Sequence, residues 1–232
     1  MLDDYTTRGM IIRAAFRLAE LRGWRRLGLD DIAREAGLSL ADVRGEFDSK
    51  NAILEAFVQE VDRAVLKRSE PDPDEPARDR IFDVMMTRFE ILTPYKAALR
   101  RIAAETRSRP GAMVRLTCLS LRSQYWMLLA AGIAADAPGA SLKVPGLLAV
   151  YARAAGVWLD DDDPGHGRTM AAVDRELRRG ERWLTRLDRF GADAIRLACS
   201  LVPRRRRRRA GPDDAPDAQP GPEPTVEEPR AG

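Results

Sequence analysis

Residues Ile32 to Lys50 read IAREAGLSLADVRGEFDSK, and this stretch decides the fold. The segment it continues, Leu29 to Ala36, is short and amphipathic, with Ile32, Ala33 and Ala36 on one face. Gly37 can adopt the left-handed conformation that stops a helix, and Leu38 plugs the resulting angle. Ser39 is a good N-cap, and Asp42 three residues later completes a variant of the capping box. Val43 and Phe47 then give the next helix its inward face. Helix, three-residue turn, helix is the helix-turn-helix pattern. An ordinary helical hairpin is the plainer alternative; the agreement of cap, stop and core spacing argues against it.

Working outward, Ile11, Ile12, Ala15, Phe16, Ala19 and Leu21 recur at helical spacing, and Gly23 closes that helix as a C-cap. On the other side, Ile53, Leu54, Phe57, Val58, Val61 and Val65 predict a longer fourth helix. It runs into SEPDPDEPARD (Ser69 to Asp79), whose prolines and acids mark a linker or long loop. Residues 1–66 are therefore expected to form a first domain and residues 78–202 a second. Breakers divide the second into helices over Ile81–Leu92, Tyr95–Thr106, Ala112–Ala135, Leu147–Leu159 and His166–Leu201. Residues 203–232, an Arg204–Arg209 run and then a tail rich in Pro and acids, carry too little apolar surface to order themselves.

The composition agrees with an all-α class. Hydrophobic residues make up 44% and charged residues 32%, a globular balance, and aromatic content is only 6%. The net charge of +3 is misleading about partners. Arg204–Arg209 contributes six of the 39 basic residues, and the remainder holds 33 against 36 acids. Residues 1–66 contain ten basic and twelve acidic residues, so this domain has no net long-range attraction for a polyanion. Cys118 and Cys199 have no motif spacing, and the simplest setting is reduced and cytoplasmic. The N-terminus MLDDYTTRGM is not expected to be a secretory signal, and no apolar run reaches the length of a membrane span.

Residues 11 to 57 resemble the DNA-binding domain of the TetR family of one-component regulators. The matching positions are Ala14, Ala15, Leu18, Gly23, Ile32, Ala33, Ala36, Gly37, Ser39, Val43, Phe47, Ser49, Lys50 and Leu54. The resemblance implies a three-helix reading head with a connecting helix, followed by a helical domain for ligand binding and dimerisation. Within it, Ser39, Leu40, Ala41, Arg44, Lys50, Arg25 and Arg26 are the expected contacts to double-stranded DNA. The departures lie on the surface: the family usually has Thr at Gly28, Tyr at Arg44 and His at Glu46. Arg44 can replace a phosphate contact, whereas Glu46 beside phosphates is repelled unless it is paired or reads a cytosine amino group. Whether this corner reads DNA or survives as a solvated, charged surface is left open by the residues alone.

Residues Ala149 to Trp183 carry a second, less specific resemblance. Trp158, Asp160, Asp162, Thr169, Asp174 and Leu177 resemble the C-terminal domain of the ubiquinone-biosynthesis lipid-binding accessory family. That resemblance implies a lipid in place of an operator. The apolar stripe Trp183, Leu187, Phe190, Leu197 and Leu201 beside the arginine run has the composition of a helix on a membrane surface. Packing of the same stripe into a dimer's helix bundle is the commoner use.

The remaining candidates are weaker. Met85, Phe89, Met113, Tyr125 and Trp126 are soft or aromatic residues suited to the wall of a pocket for a small apolar ligand, and equally to a packed core. Asp160–Asp163 with His166 invites a metal, but acids in a turn before a helix also serve its N-terminus. No metal site, catalytic set or cofactor is expected. The sequence thus points to a homodimeric regulator that binds DNA and a small apolar ligand, with a lipid-binding accessory protein in peripheral membrane contact as the alternative.

Overall fold

Helix α1 (Thr7–Arg22) starts where the Thr6 hydroxyl accepts the Gly9 N–H at 3.0 Å, and it stops where Gly23 adopts φ of +85°. This computed structural model describes residues 6–135 and 142–182. The buried face of α1 includes Ile11, Ile12, Ala15, Phe16 and Ala19 as expected, but its leucine is Leu18 rather than Leu21. Leu21 is 63% exposed, because Leu18 follows Ala14 and Ala15 at helical spacing and takes the place in the stripe.

After a 3-10 turn at Trp24–Arg26 come α2 (Leu29–Ala36), α3 (Leu40–Glu46) and α4 (Lys50–Arg68). Gly37 closes α2 with φ of +69°, its N–H reaching Ala33 O and Arg34 O, while Leu38 N–H returns to Ala33 O at 2.9 Å. This is the left-handed stop expected of it. Ser39 caps α3 in both directions: its hydroxyl accepts the Asp42 N–H at 3.1 Å, and the Asp42 carboxylate accepts the Ser39 N–H at 2.9 Å. Val43 and Phe47 are buried inward. Ser49 caps α4 by accepting the Ala52 N–H at 3.2 Å.

Residues 69–76 form the connecting loop, and Arg80 holds it by donating to Asp72 O, Pro73 O, Glu75 O and, across the fold, Ala131 O. The second region contains α5 (Ala77–Leu92), a 3-10 turn at Thr93–Tyr95, α6 (Lys96–Arg107), α7 (Pro110–Ala130) and α8 (Lys143–Leu159). Residues 167–182 are helical and constitute the described part of α9. Several boundaries differ from expectation, among them the start of α8, which lies at Lys143 rather than Leu147. α5 starts four residues earlier, with Pro76 at its N-cap, because a proline fits the start of a helix. α7 ends at Ala130 rather than Ala135, because Gly132 turns the chain with φ of +66°.

One cluster of buried residues runs from Ile11 in α1 to Leu177 in α9. Tyr95 joins the first four helices to the rest: its ring lies 5.5 Å from Phe16 and 4.9 Å from Phe57, both edge-on. Trp183, Leu187, Phe190, Leu197, Leu201 and the Arg204–Arg209 run lie outside the described residues. Among the described residues no helix is long and apolar enough to cross a membrane.

Candidate nucleic-acid interface and internal cavity

The outer face of α3 follows from its length and caps. With Val43 and Phe47 anchoring the inner side, Leu40, Ala41 and Arg44, one turn apart, are left on the outside. Leu40 is 55% exposed. The other expected contacts are placed differently. The Ser39 hydroxyl is spent on its cap, accepting from Asp42 N–H and donating to the Asp42 carboxylate at 2.7 Å. Lys50 folds back, with its ammonium 3.0 Å from Trp24 O and 3.5 Å from Arg25 O. Burial first of all lowers the pKa of Lys50 below the ordinary lysine value. Arg25 and Arg26 are exposed on the 3-10 turn.

The acids of the quoted stretch are occupied within the first four helices. Asp42 belongs to the cap of α3, and its hydrogen bonds from Ser39 hold its carboxyl below the ordinary value. Just before the stretch, Asp31 accepts the Gly28 N–H at 3.0 Å, the contact that most lowers its pKa. Glu46 lies 3.8 Å from Arg8, whose guanidinium also sits 4.7 Å from the Phe47 ring centroid. Asp48 pairs with Arg44 one turn away. Glu35 is 3.3 Å from Arg17. The Glu46 carboxylate is thus paired, the condition under which it tolerates neighbouring phosphates, and the Arg44–Asp48 pair is exposed and weakly held.

Residues 11–57 match the model of the bacterial regulatory proteins of the tetR family. The fold is TetR-like. The chain is similar to the TetR transcriptional regulator from Nitrosomonas europaea, with a TM-score of 0.61 and 22% identity over 75% of this chain and 97% of that one. It is also similar to a TetR transcriptional regulator from Rhodococcus sp. RHA1, with a TM-score of 0.55 and 20% identity over 75% and 95% of the two chains. Salmonella enterica GusR gives 0.50 and 19% over 75% and 97%. Among curated proteins no match is found. The family match ends at Phe57, and at these identities the likeness of the TetR-like body is one of fold.

Within that body, α4 to α8 enclose a cavity of about 170 Å³. Its apolar walls include Leu54 and Phe57 of α4, Leu92 of α5, Leu99 and Ile102 of α6, and Leu116 of α7. None of the five residues expected at a pocket lines it. Met85 and Phe89 are buried in the core, Phe89 stacking on Tyr151 and Trp158, which do line the cavity. Met113 and Trp126 lie on the exposed side of α7, and Tyr125 is half-buried with its ring edge-on to Trp126.

The polar members of the cavity wall were not anticipated. Arg88, Gln124 and Trp158 are buried, and each carries at least one side-chain polar atom with no hydrogen-bond partner. Arg88 pairs with Asp62 at 2.5 Å, and the Ser123 hydroxyl donates to the same Asp62 oxygen at 2.6 Å. Burial opposes the charge of Arg88, but Tyr151 and Asp62 beside it outweigh burial and raise its pKa above the ordinary value. A polar residue inside an apolar helical run was the available signal: Arg88 in VMMTRFEIL and Gln124 in SQYWMLLA.

A second, open depression of about 550 Å³ lies between α5 and the loop before α9, lined by Phe82, Met86, Glu90, Thr93, His166 and Met170 among others. The Thr93 hydroxyl donates to Phe89 O at 2.8 Å, so His166 donates from Nε2 across the 3.3 Å to Thr93. The acidic loop here serves α9. Asp161 accepts both the N–H and the hydroxyl of Thr169, at 2.8 and 2.6 Å, and Asp163 accepts from Gly165 and Gly167 N–H. Among the described residues no cluster of acids, His or Cys is arranged to hold a metal ion.

Proposed function

We propose that the protein is a cytoplasmic DNA-binding transcriptional regulator, a homodimer whose grip on DNA is governed by a small molecule in the α4–α8 cavity. The observation that carries this reading is the outer face of α3, where Leu40, Ala41 and Arg44 stand exposed on a helix fixed from behind by Val43 and Phe47. Arg44 is the phosphate or guanine contact once it exchanges Asp48 for DNA, and Leu40 suits a thymine methyl. Arg25 and Arg26 add backbone contacts at the rim. Exposed Val114 and Trp126 on the largely apolar α7 support a second copy packed against that helix. The two similar structures with the higher TM-scores are TetR transcriptional regulators.

Ligand control follows from shared walls. Helix α6 lines the cavity with Leu99 and Ile102, and it also holds the head: Glu105 accepts the Arg25 N–H at 2.8 Å and Arg101 donates to Leu21 O at 3.4 Å. A ligand that binds one position of α6 better than another shifts the population of DNA-competent dimers. The test is selection from a random duplex library, followed by a salt titration of the selected site. Binding is expected to weaken with salt, and Arg44→Ala is expected to reduce the log–log slope by about 0.9 for each head bound. The absence of any sequence-selective, salt-sensitive binding would refute the reading.

A further inference from the structure

We propose that the α4–α8 cavity takes an uncharged, single-ring compound bearing a carbonyl-type oxygen, recognised through Arg88, Gln124 and Trp158. This inference rests on the ligand-controlled reading above and names the chemistry of that ligand.

Five buried side-chain polar atoms lack a hydrogen-bond partner among the described residues, and four of them belong to these three cavity residues. They are Arg88 Nε, Gln124 Nε2 and Oε1, and Trp158 Nε1. Buried polar groups are nearly always satisfied in folded proteins, so a concentration of exceptions around one cavity needs a cause. A polar group bound in the cavity supplies it.

The inventory of atoms sets the ligand's chemistry. Arg88 Nε and Trp158 Nε1 only donate, and the Gln124 amide donates twice and accepts through one oxygen. Donors exceed acceptors, so the complement is an oxygen acceptor, with room for one N–H or O–H toward Gln124 Oε1. Charge sets the next limit. The positive charge of Arg88 is already matched by Asp62 at 2.5 Å, so a carboxylate or phosphate here would itself be an uncompensated anion among largely apolar walls. An uncharged carbonyl-type oxygen satisfies the donors without that cost. A cavity of about 170 Å³ holds on the order of one six-membered ring with a short substituent. Phe57, Tyr151 and Trp158 in the wall offer flat faces to such a ring.

The probe is benzamide, compared with toluene, which keeps the ring and lacks the oxygen, and benzoate, which replaces the amide by an anion. A 1H–15N NMR titration of the full chain reads both affinity and the indole N–H of Trp158, identified by its loss in Trp158→Phe. Benzamide is expected to bind one per chain, at least tenfold tighter than either comparison compound, and to move that indole signal downfield. Gln124→Leu and Trp158→Phe keep bulk and ring, and each is expected to weaken benzamide tenfold or more while leaving toluene within threefold. The wild-type comparison needs no variant and decides the matter even if a variant fails to fold. Failure of benzamide to bind, equal affinity for toluene, tighter binding of benzoate, or a preference that survives both substitutions would each overturn the proposal. Benzamide binding that leaves DNA affinity unchanged would sustain this site and remove ligand control. DNA binding without benzamide uptake would remove this site and leave the DNA-binding reading standing.

Discussion

Replacing a fully buried glutamine by leucine is expected to stabilise this protein. Gln124 is 0% exposed, and neither atom of its amide has a hydrogen-bond partner. Each unsatisfied buried polar group costs about 1–3 kcal/mol relative to an apolar group of similar shape. Gln124→Leu removes both atoms, a gain of about 2 kcal/mol even at the lower bound. Imperfect packing of the branched side chain subtracts up to about 1.5 kcal/mol. The expected net at that bound is a stabilisation of about 0.5–2 kcal/mol, which for a chain of this length raises Tm by about 1–8 °C. The assay is urea unfolding followed by circular dichroism, at one fixed protein concentration because the stability of an oligomer depends on it. The midpoint should rise with the slope unchanged. A variant less stable than the parent by more than about 1 kcal/mol would show the amide to be satisfied in solution and would refute the reasoning.

Three further outcomes are expected. Arg88→Met strands the buried Asp62 with only Ser123 for a partner and should cost about 3–5 kcal/mol in the same urea experiment. Gly37→Ala should cost about 1–2 kcal/mol through backbone conformation alone, because nothing lies within 4 Å of the added Cβ; a crystal structure should show the turn otherwise unchanged. The third concerns Asp161, whose carboxyl the Thr169 hydroxyl chiefly holds below its ordinary value of 3.8. Its contribution is complete above that value and is lost as pH falls through the lower folded value. Thermal melts between about pH 2 and 6 should therefore show an acid limb in the wild type that Asp161→Asn flattens.

What the sequence disclosed was local. Gly37, Ser39, Val43 and Phe47 lie within eleven residues, and caps, stops and helical spacing act over that range, so the corner was readable. The pairing of Glu46 was not, because Arg8 reaches it from 38 positions away. The same limit applies to the cavity wall. Met85, Phe89, Met113, Tyr125 and Trp126 are soft or aromatic, properties that core and cavity share, and which face of a helix meets a cavity is set by its neighbours. The more telling residues were Arg88 and Gln124, polar side chains set among apolar ones. Lys50 shows the converse: a cation expected at DNA by its position is drawn inward to the carbonyls of Trp24 and Arg25 on the 3-10 turn.

Gly23 has a consequence for anyone building chimeras. Its φ of +85° already favours glycine, and a Cβ there would overlap the Glu105 carboxylate, which holds the neighbouring Arg25 N–H. One residue in the head therefore satisfies a backbone requirement of its own and a space requirement set by α6. Heads and bodies of this design are not freely interchangeable parts. A transplanted head has to bring its glycine, or the Glu105 carboxylate has to move aside and give up the Arg25 N–H.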